Sequence, residues 1–129
     1  MSYLLDTDWL IDYLGGREPA RVLVESLLPS GLAISVITYA EFYEGVVDSP
    51  RGAEHLRKLE DFTVGVDVHG IDRTIAHIFG ERRAALRARG LLIDNFDLLI
   101  AATALRFDLA LVTRNTRDFE RIEGLRLHP

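Results

Sequence analysis

The chain has 129 residues, 48% of them hydrophobic, and a formal net charge of −5. This length fits one domain with a sizeable core, so we expect a single domain over residues 1–129. The absence of cysteine excludes disulfides, thiolate metal sites and cysteine nucleophiles. It also fits a reducing compartment such as the cytoplasm.

The amino-terminal segment lacks the pattern of a secretory signal. Asp6, Asp8 and Asp12 interrupt any apolar core, and no basic residue precedes them. The apolar run over residues 98–105 is far too short to span a bilayer. We therefore expect a cytoplasmic protein that does not insert into a membrane.

The charge distribution permits a polyanionic substrate without requiring one. Net negative charge is unfavourable for binding nucleic acid. However, Lys58 is the only lysine, and the other basic residues are arginines, which match phosphate oxygens better. Solvated helix faces are the simpler explanation for two groups of arginines in the sequence: Arg82, Arg83, Arg87 and Arg89, and Arg114, Arg117 and Arg121.

Apolar periodicity and turn residues predict strands and helices that alternate along the chain. In chain order the predicted elements are strand 3–5, helices 8–14 and 19–28, strand 32–36, helices 38–47 and 50–62, strand 64–68, helices 71–89 and 95–107, strand 109–113 and a possible edge strand at 125–127. This alternation is typical of an α/β fold, here a three-layer α/β/α sandwich around a mostly parallel sheet. Right-handed crossovers place the strand-to-helix turns along one edge of the sheet, where ligands bind.

Acidic and amide side chains lie at predicted strand ends and in the first turns of predicted helices. Asp6 ends the first strand, and Glu41 lies in the first turn of the helix after the second strand. Asp97 lies in the first turn of helix 95–107, and Asn115 and Asp118 follow the strand 109–113. These five residues are the candidate catalytic residues.

Most of these side chains also have a possible structural role as helix caps. The pattern Thr38-x-x-Glu41 resembles a capping box, and Asp94-x-x-Asp97 and Asn115-x-x-Asp118 fit the same spacing more loosely. We expect Asp94 to be a cap. Asp6 stands at a strand end, and we expect it to have no capping role.

The combination of acids favours a site over separate caps. Asp97 begins an otherwise almost wholly apolar segment over residues 97–105, so its carboxylate is expected to point into a crevice from a buried helix. Carboxylates that meet there repel one another unless a cation intervenes. Oxygen ligands suit Mg²⁺ or Mn²⁺, and such a cation activates water against a phosphodiester.

Four segments resemble the PIN domain, specifically the VapC-type toxins of toxin–antitoxin pairs. They are Tyr-Leu-Leu-Asp-Thr-Asp at residues 3–8, Ser-Val-Ile-Thr-Tyr-Ala-Glu-Phe-Tyr-Glu-Gly at 35–45, Asp-Leu-Leu-Ile-Ala-Ala-Thr-Ala-Leu at 97–105 and Leu-Val-Thr-Arg-Asn-Thr-Arg-Asp-Phe at 111–119. The resemblance covers essentially the whole chain, and the segments are specific in this combination and order.

The resemblance implies a Mg²⁺-dependent endoribonuclease, with Mn²⁺ as a plausible substitute. Asp6, Glu41 and Asp97 would bind the metal, and a water activated there would attack the phosphorus of RNA in line. Many relatives have an acid where this chain has Asn115. Asn115 can still ligate or orient a water through its carbonyl oxygen, while Asp118 either supplies the missing charge or only caps a helix.

The resemblance also implies partners. It implies the toxin of a type II system that forms a homodimer and binds a VapB-type antitoxin segment over the acidic groove. Apolar residues of helices 19–28 and 50–62 are candidate partner surfaces. Thr7 and Thr113 are either contacts to a ligand or phosphate, or hydroxyls of turns and caps.

Two other functions remain possible on the sequence. Asp6-Thr-Asp8 after a strand also resembles the nucleophile loop of haloacid-dehalogenase-type phosphatases. That chemistry, like that of receiver domains, needs a lysine near the site, and Lys58 lies in a predicted surface helix ahead of the third strand. The second alternative is a catalytically weak or inactive PIN-type interaction module, which the amide at Asn115 supports.

Overall fold

The computed structural model describes residues 2–129 and has a parallel four-stranded sheet with helices on both faces. The strands are β1 (Tyr3–Leu5), β2 (Leu32–Ser35), β3 (Asp67–His69) and β4 (Ala110–Val112). The helices are α1 (Thr7–Leu14), α2 (Glu18–Leu27), α3 (Val36–Val46), α4 (Gly52–Phe62), α5 (Arg73–Ala88), α6 (Asn95–Arg106) and α7 (Thr116–Phe119). The predicted three-layer α/β/α sandwich is therefore confirmed.

The order of the strands across the sheet is β3-β2-β1-β4, and every pair is parallel. The chain adds β2 and β3 on one side of β1 and then returns to add β4 on the other side. The strand order thus reverses between β1 and β4, and open α/β sheets bind ligands at such a point, outside the carboxyl ends of the strands. Asp6 and Thr113 directly follow these two strands.

Two hydrophobic cores cover the two faces of the sheet. Neighbouring residues of a strand point to opposite faces, so Leu4 and Leu5 of β1 belong to different cores. Leu4 packs with α5, α6 and α7, and Leu5 packs with α1, α2, α3 and α4. Burial on both faces explains the short apolar runs of β1, β2 and β4, whereas the edge strand β3 is mostly exposed and carries Asp67 and His69.

Side-chain caps fix the starts of the helices that surround the carboxyl edge. Asp6 caps α1 by accepting a hydrogen bond from the Thr7 backbone N–H, so the expectation that Asp6 has no capping role is wrong. Ser35, not Thr38, caps α3, because that helix starts two residues earlier than predicted and places Thr38 inside its first turn. Asp94 caps α6, as expected.

Two other predictions at element boundaries need correction. β3 starts at Asp67 rather than at residue 64, because backbone hydrogen bonds from Thr63 and Val64 to the end of α4 continue that helix as a turn. Val64 is 88% exposed, so its alternation with Val66 does not reflect a strand. The expected edge strand at 125–127 is reduced to one bridge between Leu127 and Leu111. No helix within residues 2–129 is both long and apolar enough to cross a bilayer.

Candidate active site

The structure brings the predicted acids Asp6, Glu41 and Asp97 to the carboxyl edge at the β1/β4 reversal. Asp6 follows β1 and is only 8% exposed. Glu41 reaches this edge from α3, and Asp97 reaches it from the first turn of α6. The end of β1, helix α3 and helix α6 therefore contribute one carboxylate each.

Hydrogen bonds orient the carboxylate of Asp6. Its Oδ2 accepts a hydrogen bond of 2.6 Å from the Thr113 hydroxyl, and its Oδ1 accepts one of 2.8 Å from the Thr7 backbone N–H. Burial raises the pKa of Asp6 above its usual range, the two hydrogen bonds oppose this rise, and the charge of Asp8 adds to it. The carboxylate is therefore buried and ordered while it keeps donors that favour its ionised form.

Thr7 orients the second acid. Its hydroxyl donates to Glu41 Oε1 at 2.7 Å and lies 3.2 Å from the hydroxyl of Thr38. Thr7 and Thr38 are both buried, so this network links the start of α1 to α3 away from solvent. The hydroxyl of Thr113 also accepts from the Asn115 backbone N–H, so it serves the expected turn as well as Asp6.

Asp97 is the acid most affected by its neighbours. Its pKa is raised from 3.8 to about 7, first by burial and then by nearby negative charges. These charges belong to Asp6, Asp94, Glu41 and Asp118. Because each of them disfavours a negative charge on Asp97, the acids form one electrostatic cluster rather than a set of independent caps.

Asn115 and Asp118 lie together beside the cluster, at the fourth predicted position. Asn115 Nδ2 donates to Asp118 Oδ2 at 3.1 Å, and Asp118 Oδ1 lies 3.8 Å from the guanidinium of Arg121. The side chain of Asn115 makes no capping hydrogen bond to the start of α7. The role of each in catalysis stays a prediction.

The donor set of the cluster fits a hard cation, although the side chains are not yet arranged around one. None of the ion pairs within 4.0 Å in the described chain involves Asp6, Glu41 or Asp97. Within residues 2–129, no three carboxylates or imidazoles already form a complete metal-binding group. Burial and, after it, repulsion from the neighbouring acids raise the pKa of Asp97, and a bound cation would offset this repulsion. Oxygen ligands of this kind suit Mg²⁺ or Mn²⁺.

A groove of about 590 Å³ opens beside the acids. It is lined by Thr7, Asp8, Ile11, Ile37, Ala40, Glu41, Glu44, Gly45 and Phe96. Its lining is thus apolar with an acidic side. Lys58 is absent from the lining, being exposed on α4 and 3.9 Å from Glu54, which argues against phosphatase or receiver chemistry at Asp6.

Arg114 ties the loop after β4 to α1. Its guanidinium carbon lies 3.9 Å from the centroid of the Trp9 ring, and its Nη2 lies 2.6 Å from Asp12 Oδ2. This side chain is partly exposed, so the two contacts fix its position more than they stabilise the fold. The contact was not predicted, because Trp9 and Arg114 are far apart in the sequence.

Known proteins are similar to this chain over nearly its whole length. The family model described as PIN domain matches residues 3–125. Ribonuclease VapC1 of Haemophilus influenzae strain R2866 is 36% identical over 128 residues, which cover 97% of this chain and 95% of that protein. The tRNA(fMet)-specific endonuclease VapC of Shigella flexneri is 35% identical over 127 residues, with 98% and 96% covered.

Solved structures show the same similarity. The crystal structure of VapBC2 from Rickettsia felis bound to a DNA fragment from their promoter contains a chain with a TM-score of 0.89 and 32% identity, and the match covers 99% of this chain and 98% of that one. The chain therefore belongs to the PIN-domain family and, within that family, to the VapC ribonucleases.

Proposed function

We propose that the chain is a Mg²⁺-dependent endoribonuclease toxin of a type II toxin–antitoxin system, with Mn²⁺ as a working substitute. The single observation that carries the proposal is the electrostatic cluster of Asp6, Glu41 and Asp97 at the β1/β4 reversal, with the pKa of Asp97 raised to about 7. Its close relatives are ribonucleases by name, which supports RNA as the substrate class.

The metal would be held by Asp6 and Asp97, with Glu41 binding directly or through water. When bound, Mg²⁺ would supply Lewis-acid stabilisation of the phosphate and lower the pKa of a bound water. Thr113 and Thr7 hold the carboxylates of Asp6 and Glu41 in place by the hydrogen bonds described above. Such fixed orientation reduces the reorganisation needed during reaction.

Asn115 and Asp118 would act at the side of the site nearest to the strand end of β4. The Asn115 amide donates to Asp118, which leaves its carbonyl oxygen able to accept a hydrogen bond from an attacking water. Asp118 adds negative charge near Asp97. We propose that this pair orients the water, so an acid at position 115 is not required.

RNA cleavage in Mg²⁺ tests the proposal. Wild type should cleave RNA in Mg²⁺ and lose this activity with a chelator, whereas Asp6→Asn should be reduced at least a hundredfold because a ligand is lost. Asp48→Asn changes the charge equally at an exposed position after α3 and should cleave like wild type. Undiminished cleavage by Asp6→Asn would favour a contaminating nuclease, and no cleavage by folded wild type would favour the interaction module.

We also propose that a VapB-type antitoxin binds in the 590 Å³ groove. The apolar lining from α1, α3 and α6 fits an amphipathic segment, and the acids Asp8, Glu41 and Glu44 would attract a basic side chain at its end. Ile11 and Phe96 are 46% and 52% exposed, which leaves apolar area for a partner. Of the two predicted partner surfaces, α4 exposes no large apolar side chain, which argues against it. α2 exposes Val22.

Binding of the antitoxin should block cleavage and should depend on this groove. Phe96→Glu should weaken the complex, whereas Val22→Glu on α2 tests the alternative surface. A homodimer is proposed on the resemblance, and the exposed Val36 and Tyr43 of α3, with Val47 directly after that helix, offer an apolar face for it. Sedimentation equilibrium of wild type and Tyr43→Glu tests that assembly. We expect RNA cleavage, antitoxin binding and dimerisation to occur in the cytoplasm.

A further inference from the structure

Helix α5 is basic in an acidic protein. Five arginines and one glutamate occur between residues 73 and 89, which gives this segment a net charge of +4 while the whole chain carries −5. Within the described residues, none of these five arginines has a carboxylate oxygen within 4.0 Å, whereas seven of the other nine arginines do. The five are Arg73, Arg82, Arg83, Arg87 and Arg89. Their charges are therefore available to an external anion.

Part of this charge lines a small cleft. Arg82 of α5 and Arg89, the residue that caps the end of this helix, are seven residues apart and so lie on one side of it. They line the cleft together with Arg121 and Glu123 of the segment after α7. The cleft has a volume of about 110 Å³. A water occupies about 30 Å³, so this space accommodates a phosphate group. Three arginines against one glutamate leave the cleft net positive.

The cleft is connected to the acid cluster through Arg121. One guanidinium nitrogen of Arg121 lies 3.4 Å from the carbonyl oxygens of Leu91 and Leu92, and the other lies 3.8 Å from Asp118. Asp118 in turn accepts a hydrogen bond from Asn115. Contacts from Arg121 to Asp118 and from Asp118 to Asn115 thus link the cleft to the fourth predicted position of the active site.

Another arginine of α5, Arg83, contacts the start of α6. Arg83 Nε donates to Asn95 Oδ1 at 3.0 Å, and Asn95 is the first residue of α6, two before Asp97. The basic helix therefore runs past the site of the carboxylates. Clustered carboxylates repel the phosphates of a polyanion, and the positive charge of α5 offsets this repulsion beside the acid cluster.

We propose that the cleft formed by Arg82, Arg89 and Arg121 binds a backbone phosphate of the RNA substrate, outside the carboxylates that carry the reaction. The inference rests on the proposed function and adds to it the path of the RNA, from the acids across α7 to α5. Guanidinium groups bind phosphate oxygens in a bidentate manner without reading sequence. The cleft would therefore contribute affinity rather than specificity. An acidic protein segment would also be attracted to the positive charge of the cleft. However, the acid cluster would not attract the carboxylates of such a segment further along the same path.

The salt dependence of RNA binding tests this proposal. In the Asp6→Asn background with Mg²⁺, a labelled single-stranded RNA should bind with an affinity that falls as salt rises. Each phosphate contact contributes about 0.7 to the slope of log affinity against log salt. The double variant Arg82→Gln/Arg89→Gln should lower this slope by about 0.7 and weaken binding about tenfold, equally for RNAs of different sequence. In the Asp6-containing protein the same change should raise KM with little change in kcat.

Two controls separate a binding role from a structural one. Arg82→Lys/Arg89→Lys keeps the charge and should keep the slope. Arg57→Gln on α4 removes an exposed arginine that also has no carboxylate within 4.0 Å, and α4 packs on the other face of the sheet, so it should bind like wild type.

An unchanged slope in the Arg82→Gln/Arg89→Gln variant would overturn the inference while the proposed function stands. The same holds if that variant binds RNA normally but loses the antitoxin, since the cleft would then serve a protein partner. Failure of every variant, including Arg57→Gln, to bind any RNA would overturn the proposed function as well.

Discussion

Asp97→Asn should stabilise the metal-free protein at alkaline pH. The pKa of Asp97 is raised from 3.8 to about 7, mainly by burial and then by the neighbouring acids. In the unfolded chain those contacts are absent and the carboxyl ionises near its ordinary pKa. The native state therefore binds more protons than the unfolded state between about pH 4 and pH 7, and the stability of the wild type falls as pH rises through that range.

The magnitude follows from the pKa difference and the exposure of the side chain. A rise from 3.8 to about 7 corresponds to about 4 kcal/mol in favour of the protonated form. Asp97 is partly exposed, so solvent screening reduces the destabilisation to about 1 to 2 kcal/mol. The variant also loses a favourable negative charge in the first turn of α6, worth about 0.5 kcal/mol. The expected net gain is about 1 kcal/mol, or about 4 °C in Tm.

Urea unfolding with a chelator, at about pH 4.5 and about pH 8, measures this difference. Asp97→Asn should exceed wild type at the higher pH and match it or fall below it at the lower pH. A variant that is less stable than wild type by 1 kcal/mol or more at pH 8 would refute the reasoning. In that case the charge of Asp97 chiefly supports the start of α6.

Three further outcomes are expected. Thr113→Val removes the hydrogen bond that lowers the pKa of Asp6, so the acid limb of the pH–rate profile should move to higher pH, whereas Thr113→Ser should leave it in place. Mg²⁺ at a hundred times its Kd should raise the Tm of wild type by roughly 10 °C, because binding contributes about 2.7 kcal/mol, and should raise that of Asp97→Asn much less. Arg114→Gln should lower the free energy of unfolding by less than about 1 kcal/mol in a urea titration, because its contacts to Trp9 and Asp12 are partly exposed; a larger loss would mean that this contact holds α1 in place.

The fold was largely predictable because its signals are local. Strands and helices alternate with clear apolar periods, and capping residues such as Asp94 mark helix starts in the sequence. The failures have local reasons as well. The valines at 64 and 66 imitate a strand, although the chain around residue 64 still completes the turn that ends α4. Helix α7 has only one turn, which is too short to show a helical period.

The candidate site was predictable to the level of residue types, and no further. Asp6 directly follows β1 and Glu41 lies in the helix after β2, so the parallel topology predicts that these two acids share an edge. Asp97 follows α5 rather than a strand, and its place was predicted from its position at the start of an otherwise apolar helix. The partners that orient them are different, since the hydroxyl of Thr113 and the carboxylate of Asp6 are 107 residues apart in the chain. The same limit applies to the contact between Thr7 and Glu41, and to the cleft between α5 and Arg121. Such pairings depend on the packed structure and have no sequence signal of their own.

The most direct test of the account is a crystal structure of the protein with Mn²⁺, using anomalous diffraction to locate the metal. We expect an anomalous peak between the carboxylates of Asp6 and Asp97, with Glu41 bound directly or through a water, and no such peak in Asp6→Asn. Absence of Mn²⁺ from this cluster in crystals of wild type that cleave RNA would contradict it.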